Sequence, residues 1–190
     1  MMNHKTLMLV EIAILTTLAF LLDTIPGLQF TIWPQGGSVS FAMIPVFIIA
    51  FRWGLKAGLA SGLLFGVLDL VFGGVVVHWL QGLLDYIIAF VGLGAAGIFA
   101  SGIKSGLQND DKTKVSMLII FGTFIGMAIR FVAHYLAGVI FFAHFAPEGQ
   151  PVWIYSLVYN STYLIPGFIL SAAIIIMLVI SRPQLVVRNS

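Results

Sequence analysis

Long apolar segments fill most of the sequence and restrict the chain to one class of fold. A helix needs about 20 apolar residues to cross the roughly 30 Å hydrocarbon core of a bilayer. Only 8% of the 190 residues are charged, whereas a soluble domain carries about 25%, so the chain cannot cover a water-facing surface. We therefore predict an all-α integral membrane protein, a single membrane domain over residues 1–190 with six transmembrane helices. The predicted spans are about 7–25, 39–52, 57–73, 80–100, 115–144 and 152–180.

The second and third predicted spans lie close together. Residues 52–56 are all that separates them, so one long hydrophobic block is a competing interpretation. Arg52 and Lys56 flank this short segment, and basic residues favour a membrane interface. The pattern therefore favours a tight turn between two spans.

The distribution of Lys and Arg indicates the orientation in the membrane. Cytoplasmic loops carry an excess of these residues. An even number of spans puts both termini on one side. That side holds eight of the nine basic residues, namely Lys5, Arg52, Lys56, Lys104, Lys112, Lys114, Arg182 and Arg188. The three opposite loops, about 26–38, 74–79 and 145–151, contain no Lys or Arg, and the ninth basic residue, Arg130, lies within the fifth span. We predict a multi-pass protein of the plasma membrane with both termini in the cytoplasm.

Small residues recur at intervals of four along several spans. The third span carries Gly54, Gly58, Gly62 and Gly66, which share one helix face and let a neighbouring helix approach closely. This spacing favours packing within the molecule. For Ala13 and Thr17 on the first span, a contact with another protein is an equally open interpretation.

Polar and aromatic residues gather toward the outer ends of the spans. Asp85 and His134 lie inside spans, where an ionisable group costs about 2.5 to 3.5 kcal/mol and normally faces a cavity or the bundle interior. A buried ion pair between Asp85 and Arg130 is the alternative. Gln81 shares a face with Asp85, and Asn160 lies at the same level. Together with the aromatic rings, they predict a pocket open to the outside that suits a flat, cationic organic molecule.

The sequence lacks the motifs of several other activities. It contains no G-x-x-x-x-G-K-[ST], so a P-loop ATP site is excluded, and no H-E-x-x-H or G-x-S-x-G of the common hydrolases. It has no cysteine and only four scattered histidines, which disfavours a metal site. No basic patch indicates nucleic-acid binding. We predict a membrane-embedded binding protein that is not an enzyme and holds no cofactor of its own.

Four segments carry a family resemblance. They are W-P-Q-G-G-S-V-S-F-A-M-I-P at 33–45, G-L-L-D-Y-I-I-A-F at 82–90, R-F-V-A-H-Y-L-A-G-V-I-F-F at 130–142 and Y-S-L-V-Y-N-S-T-Y-L-I-P at 155–166. In order and spacing the chain resembles the thiamine-specific substrate-binding (S) components of energy-coupling-factor (ECF) transporters. The resemblance implies a substrate-binding set of Trp33, Asp85, Tyr86, His134, Gly138, Phe142, Tyr155 and Asn160. Asp85 stands where this family typically has glutamate, and Phe142 where tryptophan is common.

The resemblance also implies partners. A subunit of this kind binds thiamine from outside with high affinity and delivers it with a transmembrane coupling subunit (EcfT-like) and two cytoplasmic ATPases, which use the ATP. Ala13 and Thr17 match the family's A-x-x-x-A docking motif imperfectly, although both are small. Two alternatives stay open: an S component for another vitamin or a thiamine precursor, and a self-sufficient ion-coupled secondary transporter. In the second, Asp69, Asp85, Arg130 and His134 would form a proton relay.

Overall fold

The fold is a bundle of helices with one short β-hairpin. A computed structural model describes residues 3–34 and 36–187; Gln35 of the first resemblance segment and Arg188 lie outside them. In chain order the elements are α1 (His4–Thr24), β1 (Gln29–Trp33), β2 (Gly36–Ser40), α2 (Met43–Trp53), α3 (Leu55–Phe72), α4 (Trp79–Gln108), α5 (Lys112–Phe141) and α6 (Val152–Ser181). Short 3₁₀ turns follow α5 at Ala143–Phe145 and α6 at Pro183–Leu185.

Five of these helices, α1, α3, α4, α5 and α6, are long and apolar enough to cross a membrane. The second predicted span, 39–52, overlaps α2, which has 11 residues and is shorter than the about 20 that cross a bilayer as one helix, so the count of six spans stays a prediction. Nine of those residues, Met43 to Phe51, are buried inside the protein. The segment is apolar because it forms the core of the bundle. The single-block alternative is wrong, since the helix breaks at Gly54, whose φ of +86° places it in the left-handed region.

The hairpin was not predicted, and it modifies the all-α class. Its two strands pair antiparallel, with Thr31 opposite Ser38 and Trp33 opposite Gly36. Strand β2 packs along α6 toward the buried start of α2, and Ser40 at its end is buried. The polypeptide therefore re-enters the bundle as a strand, and we call the end that the hairpin covers the hairpin end.

The glycines of α3 place its backbone directly against that of α4. A Cβ on Gly62 would lie 2.2 Å from the Phe90 carbonyl oxygen, and one on Gly66 would lie 2.2 Å from the Tyr86 carbonyl oxygen. Gly94 of α4 meets Gly58 of α3 in the same way. The prediction of packing within the molecule is confirmed for these residues. This contact between helix backbones fixes the position of α4, which carries part of the site.

A second polar cluster closes the opposite end of the bundle. Glu11 of α1 accepts hydrogen bonds from Arg52 Nη2 at 2.8 Å and from Trp53 Nε1 at 2.7 Å, and Arg52 Nη1 donates to the Gln184 carbonyl at 2.6 Å. We call Glu11, Arg52, Trp53 and the Gln184 carbonyl the basal clasp. The basal clasp joins α1, the α2–α3 turn and the segment after α6. The first and last described residues therefore lie on this side of the bundle, which we call the terminal end.

Candidate functional site

Helix α4 loses its regular α-helical form where it carries the acidic residue of the site. Residues Leu83–Ile88 form a π-helical turn, and Asp85 lies within it. π-Helical turns are rare and frequently occur at functional sites, because they change the direction in which side chains leave the helix. Gln81 lies one turn earlier and is only 1% exposed.

A chain of hydrogen bonds runs from Gln81 to α5. Gln81 Nε2 donates to Asp85 Oδ2 at 2.8 Å, and Asp85 Oδ1 lies 2.8 Å from His134 Nδ1. Arg130 Nε lies 3.1 Å from His134 Nε2. A guanidinium can only donate, so His134 Nε2 accepts and His134 Nδ1 carries the proton that it donates to Asp85. We call Gln81, Asp85, His134 and Arg130 the Asp85 network.

Arg130 does not form the ion pair with Asp85 that was the alternative interpretation. Among the described residues, its guanidinium donates to His134 and lies 4.6 Å from the centre of the Phe90 ring, where a cation–π interaction stabilises it. Its Nη1 contacts the sulfur of Met43. The imidazole therefore separates the cation from the carboxylate, and Asp85 stays available to another positive or hydrogen-bond-donating group.

The hairpin covers one side of this network and is fixed to α6. Trp33 Nε1 donates to Thr162 Oγ1 at 2.8 Å, and the Trp33 ring lies 5.9 Å from the Tyr159 ring. Tyr159 in turn lies 5.9 Å from Tyr155 and 5.7 Å from Tyr163. The Tyr163 ring lies 6.3 Å from the imidazole of the Asp85 network. These rings form a continuous aromatic wall from the hairpin to the network.

Asn160 and Gly138 set the distance between α5 and α6. Asn160 is 2% exposed; its Nδ2 donates to the Ser156 carbonyl at 2.8 Å, and its Oδ1 accepts from the Tyr163 hydroxyl at 2.6 Å. A Cβ on Gly138 would lie 2.2 Å from Ser156 Oγ. The glycine thus permits the close approach that brings Asn160 and Tyr163 to the level of the network.

Comparisons with known proteins agree with this architecture. The family model described as thiamine transporter protein (Thia_YuaJ) matches residues 9–187. The chain belongs to this thiamine transporter family. Members are transport proteins, not enzymes.

Two relatives and one solved structure show how closely the chain follows the thiamine transporter family. The thiamine transporter ThiT of Bacillus subtilis is 46% identical over 184 residues, which cover 96% of this chain and 95% of that protein. ThiT of Lacticaseibacillus paracasei is 32% identical over 194 residues, covering 100% of this chain and 95% of its own. A solved structure of ThiT from Listeria monocytogenes superposes with a TM-score of 0.89 at 30% identity, covering 96% of this chain and 98% of that one.

Several residues that the thiamine transporter resemblance singled out lie together. Asp85 and His134 form one hydrogen bond, and Trp33 and Tyr155 belong to the aromatic wall. Their connection depends on Tyr159 and Tyr163, which the resemblance did not single out. The Y-x-x-x-Y spacing that puts Tyr155, Tyr159 and Tyr163 on one face of α6 contained that signal.

Two other residues of the predicted set face elsewhere. The Tyr86 hydroxyl accepts from the Val75 backbone N–H at 2.9 Å, so it contacts the loop between α3 and α4. Phe142 stands just after α5 and packs against His144 and Phe145, with ring centres 6.4 Å and 6.2 Å away. Their substrate contacts stay a prediction. Within residues 3–34 and 36–187, no group of three metal-ligating side chains could hold an ion.

The two residues predicted for partner docking lie on a free face of α1. Ala13 and Thr17 are exposed, and so are Ile14 and Leu18 beside them. The opposite face of α1 is internal, where Thr16 and Ser61 share a 2.8 Å hydrogen bond. This half of the helix is therefore not needed for packing within the described chain.

Proposed function

We propose that this chain is the thiamine-binding membrane subunit of an ECF-type importer. It captures thiamine from outside the cell with high affinity and delivers it together with a transmembrane coupling subunit and two cytoplasmic ATPases. The proposal extends the family membership, which establishes a membrane transport protein of the thiamine transporter family.

The observation that carries the proposal is the state of the Asp85 carboxylate. Within the described part of the chain, each of its oxygens accepts one hydrogen bond and no Lys or Arg neutralises its charge. Its side chain is 14% exposed, so the charge is largely removed from water. Thiamine combines a positively charged thiazolium with a flat aminopyrimidine. A carboxylate beside an aromatic wall complements both, through charge-assisted hydrogen bonds and stacking.

The distribution of charge supports a site that faces outward. The loops at the hairpin end, about 26–38, 74–79 and 145–151, contain no Lys or Arg. At the terminal end, Arg52 and Lys112 lie close to helix ends. Because positively charged loops stay in the cytoplasm, we place the termini inside the cell and the Asp85 network toward the outside of the plasma membrane.

The need for partners follows from what the sequence lacks. It contains no P-loop motif, so ATP-driven uptake needs ATPases on other chains. The exposed Ala13 and Thr17 on α1 offer a small-residue surface for a membrane partner, because small residues let two helices approach closely in lipid.

A fluorescence titration tests the binding step. The chain has four tryptophans, and Trp33 lies in the aromatic wall. We expect saturable quenching when thiamine is added to the purified protein, and a much weaker response in a Trp33→Phe variant. Riboflavin and biotin serve as control ligands. Saturable binding of another vitamin with no response to thiamine would overturn the thiamine assignment.

A transport assay tests the dependence on partners. We expect proteoliposomes that contain only this chain to bind thiamine without concentrating it. Uptake driven by a proton gradient in the same vesicles would instead support the ion-coupled secondary transporter, with Asp69 and the charged members of the Asp85 network as a relay.

A further inference from the structure

The loop between α3 and α4, residues 73–78, is held by side chains of α4. The Val77 backbone N–H donates to Gln81 Oε1 at 3.1 Å, and Gln81 Nε2 donates to the Val75 carbonyl at 3.2 Å. The Tyr86 hydroxyl accepts from the Val75 N–H at 2.9 Å. The side chains of Val75, Val76 and Val77 are exposed. The loop is therefore held by polar contacts between its backbone and α4.

Gln81 uses both ends of its amide in these contacts. One N–H reaches the Val75 carbonyl, the other reaches Asp85 Oδ2, and the amide oxygen accepts from Val77. A rotation of the amide by 180° would place an N–H against the Val77 N–H and an oxygen against the carboxylate. Only one orientation satisfies all the partners, and burial of the side chain makes an unsatisfied one costly.

The same amide sets the orientation of the carboxylate. Gln81 holds Asp85 Oδ2 and His134 Nδ1 holds Asp85 Oδ1, each at 2.8 Å. With both oxygens fixed, the remaining lone pairs point in set directions. A ligand that presents N–H donors in matching positions is stabilised. A ligand with an acceptor at that position places a lone pair against a carboxylate oxygen and is rejected.

We propose that Gln81 is a positioning residue, which makes the Asp85 carboxylate selective for the amino group of a pyrimidine ligand and couples its occupancy to the α3–α4 loop. This inference rests on the proposed function. A ligand that forms hydrogen bonds with the Asp85 carboxylate shifts the Gln81 amide, which also holds the backbone of Val75 and Val77. By the reciprocity of linked equilibria, ordering of the loop strengthens binding by the same factor.

Selectivity gives the first test. Dissociation constants are measured for thiamine and for its analogue with an oxo group in place of the pyrimidine amino group, on the parent and on Gln81→Met, which keeps the length of the side chain. We expect the variant to lose about tenfold in thiamine affinity and much less in analogue affinity, so that the ratio between the two ligands shrinks.

The matched control is Thr16→Val, which removes a buried hydrogen bond to Ser61 at a distance from the site. We expect this variant to melt earlier with an unchanged ligand ratio. Gln81→Asn, whose shorter amide cannot reach the loop and the carboxylate together, provides the same comparison if Gln81→Met does not fold.

The coupling to the loop gives the second test. The chain has no cysteine, so Val76→Cys, at a residue that is 49% exposed, accepts one environment-sensitive fluorophore. We expect thiamine to change its emission in the parent background and to change it far less with Gln81→Met.

An unchanged ligand ratio in the Gln81 variants, or a label response that persists in them, overturns the inference while the proposed function stands. A parent protein that does not bind thiamine overturns the proposed function, and the inference with it.

Discussion

The Asp85 network and the basal clasp each centre on a carboxylate beside an arginine, but they treat the acid differently. In the basal clasp, Glu11 contacts the Arg52 guanidinium directly and also accepts from the Trp53 indole. In the Asp85 network, a neutral imidazole lies between the carboxylate and Arg130.

This difference distinguishes a carboxylate that stabilises the fold from one that stays available for a ligand. A carboxylate paired bidentately with arginine has little capacity left for a ligand, whereas Asp85 keeps its charge and part of its hydrogen-bonding capacity. The comparison teaches that an acid and a base within one polar cluster are a weak guide to its role. The partner that touches the carboxylate decides whether it stabilises the fold or stays available for a ligand.

The largest expected effect is on stability, from Glu11→Ala. Its loss leaves Arg52, whose side chain is only 15% exposed, without a counter-charge, and we expect a cost of about 3 kcal/mol in unfolding free energy. Thermal unfolding of the purified protein measures it. Thiamine affinity should stay within about twofold, because the clasp is remote from the site. Lys112→Ala, which removes the exposed pair with Asp110, is the control and should leave the melting temperature unchanged.

The reverse pattern is expected for Asp85→Asn. An asparagine can accept from Gln81 or from His134 but not from both, and it has no charge for the thiazolium. We expect thiamine affinity to fall about 10- to 150-fold, or about 1.5 to 3 kcal/mol. The melting temperature should fall less than in Glu11→Ala, since only one hydrogen bond is lost and Arg130 keeps its contacts with His134 and Phe90. A variant that melts much earlier but binds thiamine like the parent would contradict this prediction. It would show that Asp85, like Glu11, stabilises the fold and does not bind the ligand.

A smaller effect is expected where the hairpin is fixed to the aromatic wall. Thr162→Val removes the hydroxyl that accepts from Trp33 Nε1 and should weaken thiamine binding by about 1 kcal/mol, or about fivefold. The neighbouring Ser161→Ala removes a hydroxyl that, among residues 3–34 and 36–187, donates to the Leu157 carbonyl of its own helix, and it is the control. Titrations of both variants measure the difference. Equal affinities would show that the hairpin contributes no binding energy through this bond.

The smallest effect on the purified protein is expected for Ala13→Trp and Thr17→Trp. Both residues lie on the free face of α1, away from both polar clusters, so melting temperature and thiamine affinity should match the parent. Uptake by cells that express the partner proteins should nevertheless fall strongly, because a large side chain prevents close helix approach. Met117→Trp, on an exposed face of α5, is the control. Normal uptake by both α1 variants would remove the docking surface from the proposal.

Apolar runs predicted the positions of the long helices well, but they did not show that α2 is short and buried. Hydropathy measures only how apolar a segment is. It cannot distinguish a helix that faces lipid from a helix that is buried on all sides, such as α2, where Phe47 and Phe51 are fully buried. The hairpin was missed for a related reason. Its two strands have five residues each. Segments of this length are too short to show a clear alternation of apolar and polar residues in a sequence dominated by six apolar runs.

The candidate site was predictable within each helix but not between helices. Spacing by four placed Gln81 with Asp85 and Arg130 with His134, and both pairs are hydrogen-bonded. The bond between Asp85 and His134 depends on the rotation of α4 relative to α5, which the sequence does not encode locally. The π-helical turn changes that rotation, so sequence spacing left the Asp85 to Arg130 pair open as an alternative, where the structure has an imidazole bridge.

The contact between the backbones of α3 and α4 has a mechanical consequence. At Gly62 and Gly66, no side chain of α3 lies between the two helices to act as a deformable layer, so they cannot slide or rotate past one another without a clash of main-chain atoms. We therefore expect the pair to move as one rigid body. We expect shape changes on loading to occur outside the α3–α4 pair, and two spectroscopic labels attached across this contact should report the same separation in the empty and the loaded protein.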